Sequence, residues 1–101
     1  MPGATDDPRV VDVPEARRYE AHVGADLAGY AEYRRSTGRI TFIHTVVLPE
    51  FEGRGIGSRL AVTALDAARA EGLRVTPRCP FFRAYIERHP EYADLVGSAT
   101  A

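Results

Sequence analysis

Between positions 17 and 48 the chain alternates apolar and polar residues with the period of two that a half-buried strand requires. In the run from Arg17 to Val23, Tyr19, Ala21 and Val23 share one face and Arg18, Glu20 and His22 the other. Gly24-Ala25-Asp26 reads as a turn, and Leu27 to Arg34 as a second strand antiparallel to the first. Ser36-Thr37-Gly38 closes the next hairpin. Arg39 to Leu48 is the longest strand. Ile40, Phe42 and Val46 fall on one of its faces together with His44, and Ile43 and Val47 on the other, so it is expected to be central. These three strands predict an antiparallel meander.

The period then changes. From Gly55 to Glu71, Ile56, Leu60, Ala64 and Ala68 recur at every fourth residue, with Arg59, Asp66, Arg69 and Glu71 toward water, as in an amphipathic helix ended by Gly72. Leu73 to Thr76 predicts a short strand. The strand-helix-strand order makes it parallel to the Arg39 strand through a right-handed crossover. Pro80 suits the first turn of a helix running to about Arg88, which Pro90 stops. A last short helix is expected around Glu91 to Val96, packing Tyr92 and Leu95 on the body. The fold class predicted is α/β, more closely α+β, with a mixed sheet in which a meander leads into a βαβ unit and C-terminal helices.

Where strand gives way to helix the chain reads Pro-Glu-Phe-Glu-Gly-Arg-Gly-Ile-Gly-Ser-Arg-Leu from Pro49 to Leu60, with Gly53, Gly55 and Gly57 at alternate positions. Glycine permits positive φ and close approach of a ligand, and the unpaired N–H groups of a helix start favour an anion, most often a phosphate. Arg54 and Arg59 add guanidinium donors suited to phosphate oxygens. A dinucleotide fingerprint does not fit, because Ser58 stands at its third glycine and no acidic residue ends the next strand. Nor does a P-loop, since no Gly-Lys-Ser/Thr follows. On the turn alone, a ligand-free connection remains an alternative.

Cys79 falls at the expected N-cap of the Pro80 helix, with Arg78 beside it and Arg83 one turn on. Helix N-terminus and arginines both favour thiolate over thiol, which suits a reactive nucleophile; the alternative is an inert buried residue. By its strand face alone, His44 reads as a core histidine.

Composition narrows the picture. The 101 residues, 45% hydrophobic with net charge -1, describe one domain over 9–101 preceded by a disordered leader over 1–8. With 13 basic and 14 acidic residues, neither a nucleic acid nor a membrane is an expected partner. Every basic residue is Arg, and no lysine is present. A single cysteine precludes an internal disulfide and suggests a reducing, cytoplasmic setting, and neither a signal peptide nor a spanning run is seen. Three scattered histidines, His22, His44 and His89, offer no metal-ligand spacing, and no metal is expected.

Val46-Val47-Leu48-Pro49 followed by Gly53-Arg54-Gly55-Ile56-Gly57-Ser58-Arg59-Leu60 resembles the acyl-CoA-binding segment of the GNAT acetyltransferase superfamily, written Gln/Arg-x-x-Gly-x-Gly/Ala. His44-Thr45, Cys79-Pro80-Phe81-Phe82 and His89-Pro90-Glu91-Tyr92 are similar to the small single-domain YjdJ-type branch. Glu52 departs from the motif's Gln/Arg, leaving Arg54 to supply positive charge. The resemblance implies acetyl-CoA as cofactor. Backbone groups of Val46, Val47 and Leu48 would hold pantetheine between the two parallel strands, and Gly53, Arg54, Gly55, Ile56, Gly57, Ser58 and Arg59 the pyrophosphate. The thioester would lie opposite Arg78 and Cys79. His44 would then serve as base for an incoming amine or for Cys79, whereas Tyr85 stands one position before the general-acid tyrosine of larger relatives and is expected to pack.

The implied activity is transfer of an acetyl group to an amine or thiol acceptor, by way of Cys79 or directly. Full domains of this superfamily are longer, which implies an open acceptor side suited to a protein or peptide, in a monomer or a homodimer. The alternative is a non-catalytic CoA-binding or protein-interaction module in which Cys79 and His44 only pack.

Overall fold

The computed structural model describes residues 7–96. Its sheet runs in chain order through β1 (Arg9–Val13), β2 (Arg18–Val23), β3 (Asp26–Ser36), β4 (Arg39–Val47) and β5 (Arg74–Pro77). The first four are successively antiparallel and β5 is parallel to β4. Between them α1 (Ile56–Glu71) makes the crossover, and α2 (Pro80–Arg88) and α3 (Ala93–Val96) follow β5. The architecture is the predicted α/β one with a mixed sheet. Most of the expected leader, 1–6, lies outside the described residues.

Both predicted hairpins form around a glycine at positive φ, Gly24 at 59° and Gly38 at 71°. One strand was not foreseen. β1 pairs with β2 in the register Val10↔Ala21, making the meander four-stranded rather than three-stranded. Adjacent Val10 and Val11 break the alternation by which strands are read, and as an edge strand β1 needs only sparse apolar contact. It is tied in by Tyr33, whose hydroxyl donates to Asp12 at 2.6 Å, and by Arg35, which bridges Asp12 at 3.4 Å and Glu71 at 3.0 Å.

The three α-helices lie on one face of the sheet. α1 packs against every strand, α2 against β4 and β5, and Phe82 of α2 stacks on Phe42 of β4 with ring centroids 4.3 Å apart. The core is one cluster containing Ile40, Phe42, Ile56, Leu60, Leu65, Val75 and Phe82. Tyr19 and Tyr92 close its margins, and burial above all pushes both phenols up to about 12. The opposite face has no α-helix over it among the described residues. Arg18, Glu20, His22, Tyr30, Glu32 and Arg34 stand there, with Thr41, His44 and Val46 from β4.

β4 departs from its predicted phase. Its register with β3 steps from Glu32↔His44 to Tyr33↔Phe42, so Ile43 is an extra, unpaired residue, a β-bulge. A one-residue insertion turns every later side chain to the other face. Ile40 and Phe42 point into the core, but beyond the bulge Thr45 and Val47 take that face, while His44 and Val46 move to the bare one. The expectation that His44 and Val46 share a face with Ile40 and Phe42 is therefore corrected, and Ile43 and His44 are both exposed.

Gly29 fixes how closely β4 can lie beside β3. A Cβ there would stand 2.5 Å from the carbonyl oxygen of Val46 and 3.1 Å from Cγ2 of Ile56. Since the first obstacle is backbone, Gly29→Ala is expected to cost about 1–3 kcal/mol. At roughly 4–8 °C per kcal/mol for a domain of this size, the loss is measurable by thermal unfolding. An unchanged midpoint would contradict this packing.

Candidate active site

The two parallel strands stay together only from Arg39–Arg74 to Phe42–Pro77. The N–H groups of Arg78 and Cys79 both donate to the Phe42 carbonyl at 3.0 Å, and the chain then turns into α2. β4 continues from Ile43 to Val47 without β5 beside it. On its other side the pairing with β3 persists, and Leu48 N–H donates to Ala28 O at 2.9 Å. Antiparallel pairs alternate between bonded and non-bonded, so Val46 and His44 also direct their backbone groups toward β3. Thr45 and Val47 direct theirs into the gap. Of the backbone expected to serve a ligand, Val47 is thus turned to the opening. Val46 and Leu48 are turned away by the period of the ladder, and Thr45 joins Val47.

Below this edge, a short 3-10 turn over Pro49–Phe51 leads to Gly53 at φ 82° and Gly55 at φ 76°, the latter the N-cap of α1. A Cβ at either would meet nothing within 4 Å, so glycine is required there by backbone conformation and not by crowding. No side chain caps α1, and its first intrahelical donor is Arg59 N–H, to Gly55 O at 3.0 Å. The N–H groups of Ile56, Gly57 and Ser58 therefore open onto a hollow of about 230 Å³ lined also by Val47, Glu52, Gly53, Gly55 and Phe81. Gly57 has a different reason: its Cβ would lie 2.7 Å from Cζ of Phe81. Arg54 stands at the turn with its guanidinium 5.2 Å above the Phe51 ring. Arg59 points elsewhere, donating to Pro8 O at 3.0 Å.

Cys79 is the N-cap of α2 as predicted, but only 2% exposed, and its Sγ lies 3.2 Å from Oγ1 of Thr45. Thr45 is the site residue that alternation missed: only the bulge at Ile43 turns it toward Cys79. The same bulge puts His44 on the bare face, opposite Glu32 in register, so His44 and Cys79 are not brought together. Arg83 does not face the thiol either; it donates to Pro77 O at 3.3 Å and Arg78 O at 3.0 Å, closing the end of β5. Arg78 is exposed.

The remaining candidates pack. Tyr85 is buried and stacked on His89 at 4.0 Å, and burial, then the nearby charge of Glu91, raises its phenol above the ordinary value. His22 bonds Glu20 at 2.9 Å, and that hydrogen bond and the one from Arg18 hold the Glu20 carboxyl below its usual range. A larger hollow of about 420 Å³, lined by Pro77, Ile86, Pro90 and Val96 among others, lies under the C-terminal helices, away from the glycine turn. Among the described residues no cluster of His, Cys, Asp and Glu could hold a metal, and no helix is long and apolar enough to cross a membrane.

Comparison with known proteins agrees with this geometry. The family described as GCN5-related N-acetyl-transferase matches over residues 18–95. The NMR solution structure of a GCN5-like protein from Staphylococcus aureus superposes with a TM-score of 0.68 at 21% identity, covering 87% of this chain and 86% of that one. At that identity the likeness is one of fold.

Burial and the Thr45 contact together shield the thiol. Iodoacetamide is expected to alkylate Cys79 at least about 100-fold more slowly in the folded protein than in denaturant at the same pH. Labelling at the rate of a free thiol would contradict the placement.

Proposed function

Because the chain belongs to the GCN5-related N-acetyltransferase family, we propose that it transfers an acetyl group from acetyl-CoA directly to an amine, with the two reactants approaching from opposite faces of the sheet. The observation that carries this reading is the parting of β4 from β5 immediately above the uncapped start of α1. The groups present suit the ligand. The free edge at Thr45 and Val47 offers N–H and C=O groups in the alternation that an extended chain of amides can match, as an added strand does. The N–H groups of Ile56, Gly57 and Ser58 suit pyrophosphate, with Arg54 adding positive charge. Glu52 works against that charge at the rim. Phe81 supplies an apolar wall.

Acetyl-CoA supplies an activated acetyl group when bound. The chain's own contribution is to hold it in the gap, where a backbone N–H of the β4 edge favours negative charge on the acyl oxygen as the amine attacks, an effect often worth about 3–4 kcal/mol. His44, exposed on the bare face just before Thr45, takes the proton that the amine loses, as the new C–N bond replaces the thioester C–S bond and the sulfur departs as the thiolate of coenzyme A. Cys79 and Thr45 line the gap. A relay through an acetylated Cys79 has less support, because the thiol is buried and the imidazole that would activate it stands across the sheet.

Thermal unfolding with acetyl-CoA, against NADH and ATP as controls, tests the ligand. At about one hundred times its dissociation constant a ligand adds roughly 2.7 kcal/mol, a rise of several degrees in this domain. His44→Gln is expected to lower kcat by about 10²–10⁴-fold with that stabilisation retained, while Cys79→Ala keeps turnover within a few-fold. The absence of any shift at millimolar acetyl-CoA would remove the reading. Turnover abolished in Cys79→Ala with binding intact would replace direct transfer by the Cys79 relay.

A further inference from the structure

All 13 basic residues are arginines, and nine of them have a visible partner among the described residues. Arg18, Arg35 and Arg69 pair with carboxylates. Arg9, Arg39, Arg59, Arg74 and Arg83 donate to carbonyl or hydroxyl oxygens, and Arg54 lies over Phe51. Arg17, Arg34, Arg78 and Arg88 have no such partner among the described residues. Three of these four border two adjoining depressions on the helix-free face of the sheet that share Arg34 and Ile43.

The two depressions differ in charge. One, of about 340 Å³, sets Glu15 and Glu32 beside Arg17 and Arg34 and is balanced internally. The other, of about 360 Å³, is lined by Arg34, Thr41, Ile43 and Arg78, with two guanidinium groups, one hydroxyl and no acidic side chain. Like charges facing one hollow are unfavourable until an anion sits between them, and the planar fork of arginine matches a carboxylate or a phosphate. The position matters as much as the charge. Ile43 and Arg78 are the residues that follow the last rung, Phe42–Pro77, on the two parting strands, so this hollow borders the gap on the face that also carries His44.

We propose that the Arg34–Thr41–Arg78 hollow seats an anionic group, carboxylate or phosphate, on the amine acceptor. The acceptor assignment rests on the acyl-transfer reading above; the anion site itself rests on two guanidinium groups that border one hollow with no acidic side chain in its lining. Thr41 and His44 are separated by about 7–10 Å along β4. The acceptor is accordingly a small amine whose nitrogen and anionic group are a few bonds apart, bound with the anion on the arginines and the amine toward His44.

The test is an amide chemical-shift titration of the ¹⁵N-labelled full chain with 4-aminobutyrate and with phosphoethanolamine, using butylamine and ethanolamine as partners that keep the ammonium group and lack the anion. The acids are expected to shift the amides around Thr41, Ile43 and Arg78 saturably, and the amines that lack the anion at least about tenfold more weakly. The tighter of the two acids identifies carboxylate or phosphate. In an Arg34→Gln/Arg78→Gln variant, both side chains being exposed and so removable without disturbing the core, the acids weaken by about tenfold or more while stabilisation by acetyl-CoA is unchanged. Equal response to the acids and to the amines that lack the anion, no saturable response, or undiminished binding in the double variant overturns the proposal. Acetyl-CoA stabilisation without acid binding would overturn this site alone, and acid binding without acetyl-CoA stabilisation would overturn the acyl-transfer reading alone.

Discussion

A single extra residue in one strand governs the geometry on which the function depends. Ile43 has no partner on β3, and that bulge resets the phase of everything β4 does afterwards. Before it, Ile40 and Phe42 build the core against Phe82. After it, Thr45 meets Cys79 and Val47 reaches the hollow above α1, while His44 is delivered to the opposite face. Were the same residues paired in unbroken register, Thr45 and Val47 would face solvent and His44 would share the core face with Phe42. Bulges are frequent beside functional sites because they re-aim side chains without abolishing the sheet.

The bulge works only because β5 stops where it does. Parallel pairing ends at Phe42–Pro77, and the next two N–H groups are both drawn to Phe42 O, turning the chain into α2. β4 is thereby left with a bare edge on the helix side of which lies the uncapped start of α1. The glycines around that start divide the work between conformation and contact: Gly53 and Gly55 hold positive φ, and Gly57 lets Phe81 come close. The result is one strand edge that can be approached from two sides, an amide-lined hollow on one and an arginine-bearing surface on the other.

Much of this was legible in the amino-acid sequence, for identifiable reasons. The meander, α1, the parallel β5 and the Pro80 helix follow from periods of 2 and 3.6 and from glycine and proline placement, and the alternate glycines from Gly53 to Gly57 mark where α1 starts. β1 was not legible, because Arg9 to Val13 lacks alternation and is held by the long-range bonds of Tyr33 and Arg35 to Asp12. Nor was the face of His44, since nothing in Thr-Phe-Ile-His-Thr tells which residue the facing strand will skip. The resemblance points to Val46, Val47 and Leu48 together, whereas the register turns Val46 and Leu48 toward β3 and leaves Thr45 with Val47 at the gap. Cys79 was placed correctly at its N-cap, but its burial depends on the packing of α2 against β4, which residue spacing does not encode.

The central claim is that the β4 edge receives the arm of acetyl-CoA as an added strand. Residue-resolved amide hydrogen exchange with and without acetyl-CoA tests it most directly, because an added strand bonds alternate residues. Thr45 and Val47 are expected to exchange rapidly in the free protein and to gain at least about tenfold protection on binding. Val46 and Leu48, already directed at β3, should change only with the overall stabilisation. Protection gained at Val46 and Leu48 instead, or at none of the four, would contradict the assignment of this edge.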